Sequence, residues 1–322
     1  MYKRLLSRAC GVAVLGSLSA SSWCLALWNT AYNLPQDVAN GIVKIKSAGG
    51  SGTGTILDVH LDDPSDFDAG AAVCVLTADH VLLDANNVGL VNSYQIGLKD
   101  GGAYEYATGL AVRGPTNGDG TRVDLGMLGF HVDSYTGFLA QMRNPSAGIH
   151  LPGVSSMFAG TTMELGGYGN TNVTPVTSQQ YTIKNEFGTL RVATDQADEV
   201  GTAYTINGGG TANYSYSSLR GKLHFGLNAD GVTVDNGSAY VLSGDSGGPT
   251  YFSNGGQYSL VGVHSASTTR ANGTVQPGDQ WKDVYLNGYT DWINQSCAAV
   301  PEPTTIAAVG LGLAALVRRR RK

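Results

Sequence analysis

Gly244-Asp245-Ser246-Gly247-Gly248-Pro249 places one serine among three glycines and closes on a proline. Such a stretch reads as a tight turn that presents a hydroxyl. A serine hydroxyl is a poor nucleophile at neutral pH and needs an imidazole to take its proton. The imidazole in turn needs a buried carboxylate to fix its tautomer and stabilise its charged form. Both partners lie upstream, each in its own short string: Thr77-Ala78-Asp79-His80 and Val123-Asp124-Leu125-Gly126. Ser246, His80 and Asp124 are therefore candidate nucleophile, base and orienting acid.

Around these strings the 322-residue chain has 45 Gly, only 14% charged residues and short alternating apolar runs between Gly, Asn and Asp clusters. That composition predicts an all-β fold with many turns. Strands are expected over 42–46, 71–76, 94–98, 104–112 and 125–132. After a connector at about 138–157, more are expected over 162–165, 179–187, 188–194, 221–227 and 259–265. Residues 284–295 form the one amphipathic helical pattern.

Both ends read as processing signals. Lys3, Arg4 and Arg8 precede an apolar run from Ala9 to Leu18, the layout of a secretory signal peptide over 1–26, cut between Ala20 and Ala26. At the other end Pro301-Glu302-Pro303 precedes an apolar run, Ile306 to Val317, and a basic cluster, Arg318 to Lys322. The run is short for a free-standing transmembrane helix, though a tail anchor is the plainer alternative. Removing 1–26 and 300–322 takes away eight basic residues and one Glu. The remainder holds 12 Lys and Arg against 24 Asp and Glu, a net of −12. Such a surface excludes nucleic acid as a partner.

Seven strings in order carry a resemblance: Ser51-Gly52-Thr53-Gly54, Leu76 to His80, Asp124 to Leu128, Gly166-Gly167-Tyr168-Gly169, Gly244 to Pro249, Val261 to Ser265 and Tyr289 to Ile293. With the order His, Asp, Ser, they make the chain resemble a trypsin-like (chymotrypsin-fold) serine protease across roughly 38–297. The resemblance implies two six-stranded antiparallel β-barrels, 27–150 with His80 and Asp124 and 151–297 with Ser246. The active site lies in the cleft between them, and a C-terminal helix packs outside. It also implies an oxyanion hole from the backbone N–H groups of Gly244 and Ser246. The tail at 300–322 resembles the PEP-CTERM sorting signal of Gram-negative bacteria. That likeness implies export to the cell surface, matrix or medium, transient membrane contact, and removal by an exosortase.

The family's S1 position six residues before the nucleophile is Tyr240, which disfavours trypsin-like cleavage after Lys or Arg. Ser243, His264 and Ser267, with Ser265 between the last two, resemble the pocket of glutamyl endopeptidases. Two hydroxyls and an imidazole offer donors to a substrate carboxylate. A pocket for apolar or small side chains is the alternative. No basic residue precedes Ile42-Val43, so a trypsin-style activating cut is not expected, and Asp245 should have an internal partner.

Cys10 and Cys24 fall in the leader. Cys74 and Cys297 either form a disulfide or remain two thiols. Asp58, Asp62, Asp63, Asp66 and Asp68 make an acidic loop without a complete Ca²⁺ pattern. His60, His131, His150 and His224 lack metal-ligand spacing. No metal or cofactor is expected. The reading is an exported serine endopeptidase acting on proteins or peptides. Its rival is a non-catalytic surface or matrix protein that uses the same fold for binding.

Overall fold

The computed structural model describes residues 34–47, 50–84, 89–91, 93–169, 172–177, 180–184, 189–207, 213–222, 225–226, 233–234, 240–268, 274–275 and 278–300. The leader, the sorting segment beyond residue 300, and His224 lie outside them. The first half runs α1 (Gln36–Asn40), β1 (Ile42–Ser47), β2 (Gly50–Leu61), β3 (Ala71–Thr77), β4 (Tyr94–Gly97), β5 (Tyr106–Ala107), β6 (Leu110–Arg113), β7 (Gly126–Val132) and α2 (Tyr135–Ala140). The second runs β8 (Thr162–Gly167), β9 (Asn172–Thr177), β10 (Gln180–Lys184), β11 (Arg191–Gln196), β12 (Glu199–Asn207), β13 (Asn213–Lys222), β14 (Phe225–Gly226) and β15 (Thr233–Val234). It continues through β16 (Pro249–Asn254), β17 (Gln257–Ser267), β18 (Thr274–Val275), β19 (Gln280–Tyr285) and α3 (Thr290–Ala298).

Each half is built on a seven-stranded antiparallel sheet, in the orders β5-β4-β1-β2-β3-β7-β6 and β11-β8-β16-β17-β19-β13-β12. The expectation was six strands per barrel, and the extra strand has a simple origin. In the first sheet the two edge strands, β5 and β6, follow one another with only Thr108 and Gly109 between them. Three Cα steps span at most about 11 Å. The sheet must therefore curl until its edges nearly meet. The second sheet repeats the device: its edges β11 and β12 are separated by Ala197 and Asp198. In each half one bent strand crosses from edge to edge and is divided by its bend. Curling of this kind protects most of the edge amides from stray pairing.

Strand β3 is buried along its whole length. Alternate side chains of a strand point to opposite faces, so both faces of β3 must be covered. Val73 and Val75 belong to one alternating set and Cys74 to the other. The bond between Cys74 and Cys297 ties β3 to α3 across 223 positions of sequence. Helix α3 lies against β3 and β7. It begins at Thr290; residues 284–285 of the expected helix are the end of β19, paired with β13 and β17. The last helix among the described residues thus returns to the first sheet. In the chain-entropy description, closing so long a loop restricts the unfolded state by about 5 kcal/mol.

Candidate active site

His80 sits in a single 3₁₀ turn, Asp79–Leu82, directly after β3. Asp124 immediately precedes β7, which pairs with β3 along its full length. Neighbouring strands therefore bring side chains 44 positions apart into contact. His80 Nδ1 lies 2.8 Å from Asp124 Oδ2 and 3.1 Å from Oδ1, and the His80 backbone N–H donates to Oδ1 at 3.0 Å. Asp124 is fully buried. Burial pulls the His80 pKa down, but the Asp124 charge and hydrogen bond, helped by Asp79, outweigh it and raise the pKa above 6.5.

The acid has its own support. Ser265 Oγ donates to Asp124 Oδ2 at 2.5 Å, and Tyr216 OH donates to Ser265 Oγ at 2.6 Å. Burial, with Asp124 adding, holds the Tyr216 phenol well above its ordinary value, so this donor keeps its proton. Beside it, buried Asp79 takes a two-point grip from Arg113, with Nη2 at 2.6 Å and Nε at 2.9 Å, and a bond from Tyr214 OH at 2.9 Å. Tyr214, Tyr216 and Ser265 belong to the second half, so the first half's acids are anchored across the interface.

Ser246 is held from both sides. The Thr53 N–H of β2 donates to the Ser246 carbonyl at 2.8 Å, and Thr53 Oγ1 donates to the Gly244 carbonyl at 2.9 Å. On the other side the Gly247 N–H donates to the His264 carbonyl at 2.8 Å, and the His264 N–H donates to the Gly248 carbonyl at 2.9 Å. Gly247 has φ +82°, and a Cβ there would meet Thr77 Oγ1 at 2.0 Å and the Thr53 carbonyl at 2.3 Å. Only glycine fits. Gly244 also has positive φ, +92°. Asp245 is buried, and its carboxylate accepts from the Gly169 N–H at 2.8 Å and the Leu242 N–H at 2.9 Å. A Cβ at Gly169 would lie 2.5 Å from the Asp245 amide nitrogen, which explains the glycine of the Gly166-Gly167-Tyr168-Gly169 string.

His80, Ser243, Gly244 and Ser246 line one cavity of about 530 Å³ with Gly50, Ser51 and Val81. The other expected S1 residues lie deeper. The Tyr240 side chain is fully buried, its hydroxyl donating to the Thr268 carbonyl at 2.5 Å, with Ser267 also bonding to it. His264 is fully buried, with Nδ1 2.9 Å from Asp283 Oδ1; Asp283 also accepts from Thr250 Oγ1. Ser265, grouped with S1 on sequence, commits its hydroxyl to Asp124. Thr250, Asp283, Tyr216 and Tyr214 were not singled out in the sequence. Each stands in a strand or turn with no distinguishing string, and only the alternation of β13 hinted that Tyr214 and Tyr216 share a face. In the acidic loop, Asp62 binds His131 at 2.9 Å, Asp58 binds His60 at 2.9 Å and Asp63 binds Ser65. Among the described residues no cluster of His, Cys, Asp and Glu is arranged to hold a metal ion.

A two-sheet β protein with a His–Asp pair and a glycine-bound serine in one cleft is the architecture of the serine proteases. Residues 70–293 match the Trypsin family, and the chain belongs to it. Residues 299–322 match the PEP-CTERM protein-sorting motif, which marks export-related sorting and exosortase processing in Gram-negative bacteria. The chain is also similar to two solved structures. One is the protease Anisep from Arthrobacter nicotinovorans: 15% identity, 82% of this chain and 98% of that one covered, TM-score 0.45. The other is the thermostable serine protease AL20 from an extremophilic microorganism: 14% identity, 82% and 100% covered, TM-score 0.43. Comparison with curated proteins gave no match.

Proposed function

We propose that the chain is an exported serine endopeptidase in which Ser246 attacks the scissile carbonyl. His80 takes the serine proton and returns it to the leaving amine, and Asp124 orients His80. The backbone N–H groups of Gly244 and Ser246 stabilise the developing oxyanion. The observation that carries this reading is the doubly bonded His80–Asp124 pair opening onto the same cavity as Ser246. The mature unit comprises a half with the base and acid, 27–150, and a half with the nucleophile, 151–297. Its end segments are removed, and it remains on the cell surface, in the matrix or in the medium.

No cut before Ile42 is needed for activity. Ile42 lies inside β1, paired with Thr55 and preceded by α1, and Asp245 is held by backbone amides. For the residue before the scissile bond, an acidic side chain is the preferred reading. The His264 imidazole and the Ser243 and Ser267 hydroxyls are the donor types that a substrate carboxylate requires.

Labelling of the processed protein with a fluorophosphonate tests the first claim. Wild type should label, and Ser246→Ala should not; a folded wild type that never labels favours the binding-protein rival. A peptide-library profile tests the second. Preference for Glu should vanish in His264→Ala, and indifference to that change removes the pocket reading.

A further inference from the structure

The cavity has two walls. The nucleophile loop is bonded to β17 on one side, through His264, and to β2 on the other, through Thr53. If Ser243, His264 and Ser267 receive the acyl half of a substrate, the leaving half must exit along β2. The wall there is Gly50 and Ser51. Ser51 pairs across the hairpin with Lys46. The Tyr104 hydroxyl bonds to the Ser51 side chain, and both Lys44 Nζ and Lys46 Nζ sit over the Tyr104 ring, at 4.9 and 5.6 Å from its centroid.

The two lysines differ. Lys44 is buried and donates to the Gly102 carbonyl. Lys46 is exposed. Asp100, bonded by Arg143 Nη2 at 3.1 Å and the Leu190 N–H at 2.9 Å, and Glu105, bonded by the Leu98 N–H at 3.1 Å, both act on the charge of Lys44, which leaves Lys46 as the outer lysine on the ring. A cationic, aromatic-backed ledge beside the cleft is unusual in a unit whose net charge is −12. A Cβ at Gly50 would meet nothing within 4 Å among the described residues, so there is room beside Ser51.

We propose that Ser51, Tyr104 and Lys46 form a leaving-side subsite that selects peptides with an acidic residue within three positions after the scissile bond. This rests on the protease reading. An ammonium seated on an aromatic face beside a low-charge cleft attracts a carboxylate and repels an ammonium. The ring also restricts where the lysine head can lie.

The test uses the processed protein and internally quenched peptides that share one acyl half and carry Glu, Ala or Lys at each of the three following positions. Wild type should favour Glu over Lys at one position by about tenfold in kcat/KM, and the ratio should shrink at high salt. Lys46→Glu should invert the ratio, and Lys46→Ala should flatten it. A flat response in wild type, or a ratio unaltered in Lys46→Glu, overturns the subsite while leaving the protease intact. Failure of wild type both to cleave any of the peptides and to label with fluorophosphonate brings down the protease reading itself.

Discussion

Among the described residues the buried Asp, Glu, Lys and His side chains are Lys44, Asp79 and Asp124 in the first half, whereas in the second they are Glu164, Asp195, Asp245, His264, Asp279, Lys282 and Asp283. The two halves follow one chain path, each with a curled seven-stranded sheet and a bent crossing strand. They differ in what fills them. The first encloses mostly Val, Ile and Leu, and it offers His80 from a rigid apolar base. The second buries charge and binds it internally: Trp281 Nε1 donates to Asp195 at 2.8 Å, His264 meets Asp283, and Asp245 meets two backbone amides. Buried charge adds little net stability but is costly to leave unpaired, so such contacts fix one geometry. The turn that carries His80 rests on an apolar sheet and on the Asp124 carboxylate, and the loop that carries Ser246 is held by polar bonds.

The comparison breaks most sharply at the acid that joins the halves. Asp124→Asn should lower kcat by about 10⁴-fold, because an amide holds His80 in the wrong tautomer, with little change in fold. Its pH profile sharpens the point. The base works only when neutral, so wild-type kcat/KM should rise with pH through the raised His80 pKa, an acid limb above 6.5. Loss of the Asp124 charge should move that limb down. The same pairing stabilises protonated His80. Its contribution to folding is therefore present below the ordinary histidine value and lost as pH climbs through the raised one.

Stability gives a smaller effect. Cys297→Ser should cost about 2–5 kcal/mol in thermal or denaturant unfolding, with most of the loosening in the first half, where α3 and β3 meet. An equal loss of protection in both halves by hydrogen exchange would count against the separation drawn above. Tyr216→Phe is the mildest test. It removes one donor from the Ser265–Asp124 chain and should cost about 1 kcal/mol, less than tenfold in kcat.

What the sequence revealed divides along the same line. His80, Asp124 and Ser246 could be singled out because each sits in a short distinctive string, and in the last of these Gly247 is required by the approach of Thr53 and Thr77. The strand rhythm of the first half was legible because alternation is a local signal, whereas β12, β16 and most of β13 fell outside the expected strands. The splitting of 104–112 into β5 and β6 was not, because the bend at Thr108 and Gly109 serves a closure made elsewhere in the sheet. The partners of Asp245 were not, because backbone N–H groups leave no mark in a sequence. Asp283 was hidden for a third reason. It lies in an ordinary strand, and only the register of β19 against β17 sets it opposite His264.

The covalent tie between Cys74 and Cys297 also has a mechanical meaning. The sorting motif begins at residue 299, two positions after the bridged cysteine. Any pull on the chain beyond α3 is delivered through the sulfur bridge into β3 and shared by the strands flanking it. Because β3 leads into the turn that carries His80, and its partner β7 follows Asp124, such a load reaches the strands behind that pair. Reduction of the bridge would take that load off β3 and leave it on the packing of α3.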